Sequence, residues 1–433
     1  MNYLFKGATL ITLDPPAVEL GDLRVAGGRV VERGVGLTAR EGEEVIEVDS
    51  RIIMPGMVCA HTHLYSSLAR GMPAPPRAPA NFREVLELVW WRLDRALDEE
   101  TIYWSALAGA LEAARAGTTC LFDHHASPAH ITGSLGVVRE ALERAGLRAV
   151  LCYELTDRGG AEERDAGLEE NRTFLAAAAG PGLFRGMVGA HASFTLNNHS
   201  LEVCAELMRE FDAGLHIHAA EDWCDVADAR EKHGSGVVER LAERGALNAR
   251  TILAHGTHLD AGEIALARGA GAWFAHNPRS NMNNQVGHAP VEAFGEKLAL
   301  GTDGLGADMF EEARAAYFKG RDAGLAWGAD EWRRVLANNQ RLASQTFGLE
   351  LGALEEGAAA DLVVLDYQAP TPLAAGNLAA HLIFGYSSAA VESVMVDGRF
   401  VVRDRRPALD VEEVYRQARA AGAKLWARME EIS

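Results

Sequence analysis

The chain has 433 residues, of which 48% are hydrophobic and 24% charged, and its formal net charge is −19 at pH 7. One hydrophobic core rarely organises a chain of this length, so we expect a large domain and a smaller one. The acidic balance argues against a nucleic-acid partner or an anionic membrane surface. The sequence contains no 18-residue apolar run and no signal-peptide core, which predicts a cytoplasmic protein without a membrane partner.

Both ends of the chain carry short strand-like runs separated by Gly and Asp. Residues 1–55 contain "LFKGATLITLD" and "DLRVAGGRVVERG", and residues 357–407 contain "GAAADLVVLDY" and "VESVMVDGRFVVRD". Regular short strands of this kind predict a small β-sandwich domain built from both chain ends. Residues 408–433 are predicted to form a C-terminal helix.

Residues 56–356 alternate apolar strand-like runs with helical stretches rich in Ala, Leu, Glu and Arg. The predicted strands are "GMVCAHTH", "TTCLFDHH", "RAVLCYEL", "GMVGAHASF", "GLHIHAAED", "RTILAHG", "AWFAHNP" and "LALGTDG". Eight alternating units predict an α/β fold of the (β/α)8 barrel type. An open doubly wound sheet would need fewer strands and a Gly-rich phosphate turn, which the sequence lacks.

Titratable residues stand at the carboxyl ends of these predicted strands. They are His61 and His63, Asp123 and His124, His191, His218, His255, His276 and Asp303. The carboxyl ends of barrel strands converge on one mouth, where active sites lie. Histidines placed at random in a core would not fall at the same end of so many strands, so the pattern predicts a catalytic site.

The pair His61 and His63 would project two imidazoles from one face of the first strand, because strand side chains repeat direction every second residue. Catalytic zinc sites use imidazole nitrogens and a carboxylate and leave one position for water. In the fifth strand, His216 and His218 also share a face, and His218 lies nearer the strand end. These histidines therefore predict most of a metal site.

Two further residues complete the candidate set. Asp303 lies on the eighth strand, which neighbours the first strand in a closed barrel, so its carboxylate can join His61 and His63. His255 either binds the metal or contacts its water. The five cysteines are odd in number and lack any C-x-x-C pair, so neither disulfides nor a thiolate zinc site is expected.

Five motifs follow one another along the chain: H-x-H after "MPG", H-x-x-E, "AHGTHL", "HNPRSN" and "GTDG". In this order they resemble the amidohydrolase superfamily, and more narrowly its cytosine-deaminase and chlorohydrolase-like branch. The resemblance covers essentially the whole chain, including the split β-sandwich. Three details, "FDHHASP", "AHASFTL" and "HNPRSNMNNQVGHAPV", are similar to aminohydrolases of the SsnA type.

The resemblance implies one divalent metal ion, zinc in preference to iron, held by His61, His63, His218 and Asp303. Such an ion lowers the pKa of bound water towards about 7, and the hydroxide would add to the amine-bearing carbon. Glu221, three residues after His218, is implied as the proton shuttle that serves a ring nitrogen. Asp303 and His255 could then help to protonate the departing amine.

A single metal ion is expected for a further reason. Binuclear members of the superfamily bridge two ions with a carboxylated lysine or a glutamate at strand four. Here His191 occupies the end of that strand, and no lysine is near it. We therefore expect one ion, with His191 as a candidate substrate contact.

Other candidates for substrate contact are His124, His125 and Arg70. The branch often has a single Asp followed by an unrelated residue where this chain has "FDHHASP". The two histidines could recognise a polar substrate edge, host a second metal ion, or support Asp123. All three possibilities stay open from the sequence.

The stretch "RGMPAPPRAPANFREVLELVWW" follows the first strand, and its Pro-rich start resists helix formation. A long loop of this kind could act as a lid over the barrel mouth. Arg70, Phe82, Trp90 and Trp91 could frame a planar ligand there. Alternatively, the two tryptophans pack against the next helix.

These features predict an enzyme that hydrolyses C–N bonds of a small-molecule substrate, a deaminase acting on an aminated purine, pyrimidine or pterin. Alternatives at the same site are deimination, dechlorination and ring-amide hydrolysis. The resemblance to the SsnA type also suggests a non-catalytic role in selenium or redox metabolism, although a scaffold would not need Glu221. Relatives of this type are often dimers, so a homodimer is expected.

Overall fold

Strands and helices alternate along most of the chain in the computed structural model, which describes residues 2–432. The strands are β1 (Asn2–Thr12), β2 (Ala17–Ala26), β3 (Arg29–Gly34), β4 (Glu43–Glu47), β5 (Ile52–Pro55), β6 (Met57–Thr62), β7 (Thr118–His125), β8 (Arg148–Tyr153), β9 (Phe184–Gly186), β10 (Val188–Ala192), β11 (Leu215–Ala219), β12 (Ile252–His255), β13 (Trp273–His276), β14 (Leu298–Leu300), β15 (Leu362–Leu365), β16 (Val391–Val396), β17 (Arg399–Arg403) and β18 (Arg406–Pro407).

The helices surround the barrel strands or follow them in the chain. They are α1 (Phe82–Val85), α2 (Trp91–Ala96), α3 (Glu99–Arg115), α4 (Ser134–Ala145), α5 (Ala161–Ala177), α6 (Asn198–Phe211), α7 (Trp223–Asp228), α8 (Val237–Glu243), α9 (Ala261–Ala270), α10 (Pro278–Asn283), α11 (Val291–Phe294), α12 (Met309–Asp322), α13 (Ala329–Phe347), α14 (Leu378–Phe384) and α15 (Val411–Glu431). Within residues 2–432, none of them is long and apolar enough to cross a bilayer.

Strands β6 to β14 run parallel around a closed barrel. They form two hydrogen-bonded sheets, β6-β7-β8-β9 and β10-β11-β12-β13-β14. Parallel bridges from Leu155 to Ala190 and from Thr62 to Asp303 join the two sheets at both seams. The predicted fourth strand is divided into β9 and β10 at Met187. The prediction of a (β/α)8 barrel is confirmed, and the strand residues are buried on both faces, as parallel strands usually are.

The two chain ends share one nine-stranded sheet, in the order β18-β17-β16-β15-β5-β1-β2-β3, with β4 paired to β1. The same edge of β1 pairs with β4 before Gly7 and with β5 after it. Gly7 has φ +74°, and a Cβ there would lie 2.0 Å from a carboxylate oxygen of Asp49. This change of pairing partner at Gly7, called the fork of the sheet below, lets the sheet enclose its own core. The core includes Phe5, Leu23 and Met395. The domain boundaries at residues 55, 357 and 407 stay predictions.

Helix α15 lies within the predicted C-terminal segment and braces the chain that follows β6. The indole Nε1 of Trp426 donates to the carbonyl oxygen of Leu68 at 2.9 Å. The Arg428 guanidinium donates to the carbonyl oxygen of Ala96, the last residue of α2, at 2.6 Å. The end of the chain therefore holds elements that lead to the barrel mouth.

A buried ion pair joins the barrel to the composite sheet. Arg148, the first residue of β8, makes two hydrogen bonds to the carboxylate of Asp361, at 2.9 and 3.0 Å. Asp361 Oδ1 also accepts from the backbone N–H of Asp397 at 2.9 Å. Both charged side chains are at most 2% exposed, so each depends on the other for compensation of its charge.

We predict that Asp361→Asn destabilises the protein by about 3–5 kcal/mol, because it leaves the buried Arg148 guanidinium with only the half-exposed carboxylate of Asp397, 3.8 Å away, as a counter-charge. Urea unfolding followed by circular dichroism would measure the change. Glu143→Gln is the matched control, since its pair with Arg139 is largely exposed and contributes at most about 1 kcal/mol. Equal losses in the two variants would contradict the role given to the buried pair.

Candidate active site

The carboxyl ends of the barrel strands bring the predicted polar side chains together at one mouth. Three non-glycine residues at these ends adopt left-handed backbone conformations: Ala220 with φ 48°, His255 with φ 69° and Asp303 with φ 54°. Such conformations cost about 1–3 kcal/mol each and cluster at functional sites. The neighbouring Gly301 is also constrained, since a Cβ there would lie 2.7 Å from the Cβ of His61.

Five side chains form a compact cluster at the centre of the mouth, referred to below as the His/Asp centre: His61, His63, His218, His255 and Asp303. One ligand atom from each of His61, His218, His255 and Asp303 lies within 4.8 Å of the others. His63 Nε2 lies 2.9 Å from Asp303 Oδ1 and 3.1 Å from His218 Nε2. The structure therefore brings together every residue of the predicted ligand set.

Each histidine of the His/Asp centre is held through its other ring nitrogen, Nδ1. The Nδ1 contacts are His61 to His216 Nε2 at 2.9 Å, His63 to the His124 carbonyl at 2.5 Å, His218 to the His191 carbonyl at 2.8 Å, and His255 to Asn281 Oδ1 at 2.8 Å. Outer hydrogen bonds of this kind fix the ring orientation and the tautomer of metal-binding histidines. They leave the Nε2 lone pairs directed at the centre.

The donor set fits a divalent cation. Within the described chain, His255 Nε2 is buried and has no hydrogen-bond partner, which is costly for a polar atom. Imidazole nitrogens with one carboxylate are the ligands that zinc and related ions accept. A cation at this point would satisfy His255 Nε2 if it binds there, and it would neutralise the mutual repulsion of the lone pairs.

Burial lowers the pKa of His61 to about 3, although Asp303 opposes the shift, so this imidazole stays neutral. Burial also acts to lower the pKa of His63, but its contacts with Asp303 reverse the sign and raise the pKa to about 9. A proton and a cation compete for the same nitrogen, and metal binding at His63 would release that proton.

Glu221 lies beside the centre, as its position after His218 predicts. Its Oε2 is 3.6 Å from His255 Nε2, and its Oε1 accepts a hydrogen bond from Asn284 at 3.2 Å. Burial raises the pKa of Glu221 to about 7, with His255 opposing the shift and Asp303 adding to it. A carboxyl group that titrates near neutral pH is suited to proton transfer.

Asn284 and Ser280 extend this arrangement from the loop after β13. Asn284 also contacts the hydroxyl of Ser280 at 3.4 Å, and Ser280 donates to Asp303 Oδ2. The loop therefore holds one oxygen of Glu221 and one oxygen of Asp303. The sequence offered the segment "HNPRSNMNN" but no signal that Asn284 would reach Glu221.

A cavity opens above the centre and is walled by aromatic side chains. Phe82, Leu86, Trp90 and Trp91, from the segment after β6, line one side, and Phe194 lies on another. The two tryptophans thus face the cavity, and they also pack with the cluster around Phe82 and Leu86. The action of the long loop as a lid stays a prediction.

Six carboxylates also line the cavity: Asp94, Glu154, Glu221, Asp222, Asp225 and Asp303. Among the residues that the structure describes, no Lys or Arg lines it. The described lining therefore offers no guanidinium or ammonium group that could bind a phosphate or carboxylate of a ligand.

The predicted substrate contacts divide into three groups. His191 lines the cavity. His124 and His125 are fully buried behind the wall, where His125 Nε2 contacts Ser127 Oγ at 2.9 Å. Arg70 lies outside the cavity, because its guanidinium forms two hydrogen bonds with Glu112 at 2.8 and 2.7 Å and is mostly exposed. The structure does not bring Arg70 to the site.

Sequence reasoning missed four acidic lining residues, Asp94, Glu154, Asp222 and Asp225, of which Glu154 and Asp94 are the most instructive. Glu154 directly follows β8, so the rule that singled out the other strand-end residues would have found it. Asp94 lies in α2, where nothing in the sequence marks it as facing the barrel mouth. Both are buried, at 4% and 1% exposure.

Comparisons with known proteins agree with this architecture. The model of the Amidohydrolase family matches residues 52–401. The chain is 30% identical to a 5'-deoxyadenosine deaminase of Methanosarcina mazei, over 99% of both chains. It is 32% identical to a 5-methylthioadenosine/S-adenosylhomocysteine deaminase of Desulforudis audaxviator, over 94% of this chain and 95% of that one.

Solved structures share the fold at lower identity. An adenosine deaminase from Xanthomonas campestris with bound zinc has a TM-score of 0.86 at 23% identity, over 98% of both chains. An atrazine chlorohydrolase from Arthrobacter aurescens complexed with zinc has a TM-score of 0.82 at 23% identity, over 97% of this chain and all of that one.

The barrel, the composite sheet and the His/Asp centre define a metal-dependent hydrolase that acts on C–N bonds of a small molecule. The chain belongs to the amidohydrolase family, which the family model and the two relatives at 30% identity or more establish. The resemblance to this superfamily is thereby confirmed. The narrower resemblance to the SsnA type stays a prediction.

Proposed function

We propose that the protein is a deaminase that releases ammonia from an aminated N-heterocycle by hydrolysis. The observation that carries this proposal is Glu221, a buried carboxyl group 3.6 Å from His255 at the floor of an aromatic-walled cavity. A scaffold protein would have no use for a proton-transferring group there. The names of the two relatives, both deaminases of adenosine derivatives, support a purine-like ring as the substrate.

We further propose that one zinc ion is held by His61, His63, His218 and Asp303, with His255 beside it. The bound ion would supply a Lewis acid that lowers the pKa of a water molecule to about 7. Zinc is named with both structural neighbours, which supports it over iron.

The side chains would divide the proton transfers among themselves. Glu221 Oε2 takes a proton from the attacking water as the oxygen–carbon bond forms, and passes it to the adjacent ring nitrogen. Asn284 holds Oε1 and so fixes the direction of Oε2. The second proton comes from the hydroxyl group of the adduct, and Asp303 and His255 would help to transfer it to the amine as the C–N bond breaks. Ammonia leaves, and a ring carbonyl group remains.

The cavity walls favour a flat and uncharged or cationic substrate. Trp90, Trp91 and Phe82 offer surfaces for stacking against a ring. The described lining has no Lys or Arg to bind the phosphate of a phosphorylated heterocycle. Dechlorination, deimination and ring-amide hydrolysis could use the same centre, and release of ammonia separates deamination and deimination from the other two.

The oligomeric state and the cellular location of the protein also stay predictions. The proposed homodimer would be tested by light scattering coupled to size-exclusion chromatography. The proposed cytoplasmic location would be tested by fractionation of the source cells.

We predict that Glu221→Gln lowers ammonia release by about 10²–10⁴-fold on any true substrate, because the amide cannot accept the proton. Steady-state assays with a panel of aminated purines, pyrimidines and pterins would measure this loss. The variant should keep its metal and its melting temperature. Turnover near the wild-type rate would rule out Glu221 as the proton shuttle.

We also predict that wild-type protein binds about one metal ion per chain, and that His218→Asn falls well below that ratio because a ligand nitrogen is lost. Inductively coupled plasma mass spectrometry on dialysed protein gives the ratio. His199→Asn, at an exposed position of α6, is the control and should keep the wild-type content. Undiminished metal in His218→Asn would contradict the proposed ligand set.

A further inference from the structure

We propose that Glu154 and His191 form a pair of hydrogen-bond acceptors that selects a substrate ring edge bearing N–H donors. The substrate would then be an oxo-substituted heterocycle with ring N–H groups, such as a 2-amino-oxopurine or a pterin, in preference to a 6-aminopurine nucleoside. The inference rests on the proposed deaminase function and narrows its substrate class.

Glu154 is a buried carboxylate on the cavity wall. Its backbone N–H donates to the carbonyl oxygen of His125 at 2.7 Å, which fixes the chain just after β8. Its side chain is 4% exposed, lines the cavity, and places Oε2 3.2 Å from His124 Nδ1. A buried carboxylate needs a compensating charge or several hydrogen bonds, so the burial of Glu154 depends on its contact with His124.

His124 binds one oxygen of this carboxyl group. Its Nε2 lies 3.2 Å from the carbonyl oxygen of Ala190 and 3.1 Å from that of His216. Carbonyl oxygens only accept hydrogen bonds, so Nε2 carries a proton. One proton between Nδ1 and Oε2 joins His124 to Glu154, whichever of the two atoms carries it. The other oxygen, Oε1, remains an acceptor on the residue that lines the cavity.

His191 presents a second acceptor next to Oε1. Its Nδ1 lies 2.7 Å from the hydroxyl of Thr195, whose own proton goes to the carbonyl oxygen of Ala192 at 3.0 Å. Nδ1 is therefore the donor in this contact. In the tautomer that this contact selects, the lone pair of the imidazole is on Nε2. This Nε2 lies 3.6 Å from Glu154 Oε1, too far for a hydrogen bond between them.

Two neighbouring acceptors without a donor between them are suited to a ligand that brings donors. Ring N–H groups can donate to these acceptors, and hydrogen bonds to a carboxylate are stronger than those to a neutral group. The exocyclic amine of either kind of ring is the group released at the His/Asp centre, so it does not serve the pair. The ring nitrogens of a 6-aminopurine nucleoside only accept, so they would face the pair with lone pair against lone pair. Leaving such polar atoms unpaired in a buried site is the strongest source of discrimination available to an enzyme.

A second metal ion is the competing occupant. Ligand atoms of His63, His124, Glu154 and His218 do lie within 4.8 Å of one another. However, Nε2 of His63 and Nε2 of His218 belong to the His/Asp centre, and their Nδ1 atoms contact carbonyl oxygens. Only Glu154 and His124 would remain for a second ion, and they already bond to each other. Two such ligands do not make a site.

The test uses zinc-loaded, full-length protein and compares guanine and pterin with 5'-deoxyadenosine by ammonia release. We expect the wild-type protein to favour the oxo-substituted rings by at least about 10-fold in kcat/KM. Glu154→Gln should lower kcat/KM for those rings about 10–100-fold and change the value for 5'-deoxyadenosine less than about 3-fold. Glu143→Gln, exposed on α4, should change neither value.

Calorimetric binding to the Glu221→Gln protein separates this inference from the proposed function, because it needs no turnover. Tighter binding of guanine or pterin than of 5'-deoxyadenosine, lost on adding Glu154→Gln, would support the acceptor pair even if no ammonia were released. Equal binding, a wild-type preference for 5'-deoxyadenosine, or two metal ions per chain would overturn it. If Glu154→Gln fails to fold, the preference of the wild-type protein decides the question.

Discussion

The site depends on one electrostatic constraint: several lone pairs and a carboxylate are buried within a few ångströms of one another and point at one position. In a site of low dielectric, such atoms repel each other strongly unless a positive charge lies between them. The protein cannot relax the repulsion by rotating the imidazoles, since their Nδ1 atoms are held by backbone or side-chain partners. The orientation of these rings is thus fixed by the protein's own hydrogen bonds, and the left-handed backbone conformations of His255 and Asp303 are part of the free-energy cost of the centre.

Closure of the barrel and assembly of the centre are the same structural event. The carbonyl oxygen of His61 accepts from the backbone N–H groups of Thr302 and Asp303, at 2.8 and 3.1 Å. These bonds link the first and last strands of the barrel, and they also set Asp303 beside His61 and His63. A disturbance at this seam would therefore affect catalysis as directly as the loss of a ligand would.

Much of the site could be predicted because it follows from strand geometry. Alternation placed His61 and His63 on one face, and the convergence of parallel strands at one mouth brought in His218, His255 and Asp303. Where the side chain depends on a loop, the sequence held less information. The ion pair with Glu112 that keeps Arg70 away from the cavity is a contact between distant segments, and no local pattern marks it.

In the fold, too, features set by the local sequence could be predicted, and features set by contacts between distant segments could not. The eight-strand alternation predicted the barrel, but not the break at Met187 or the fork of the sheet at Gly7. Both features arise from pairing between strands, which a single strand sequence does not specify. Glu154 was overlooked for a different reason: "YEL" continues an apolar run, so the residue looked like part of a strand rather than its end.

The composite sheet also bears on how the chain reaches its native state. Strand β5 pairs with β15, from Ile52–Pro55 to Leu362–Leu365, so one of its two edges is unpaired until the whole barrel has been synthesised. Contacts between such distant segments slow folding, and exposed strand edges attract other chains while they wait. On a ribosome, β5 emerges long before β15, so its unpaired edge needs protection from aggregation while the barrel between them is synthesised.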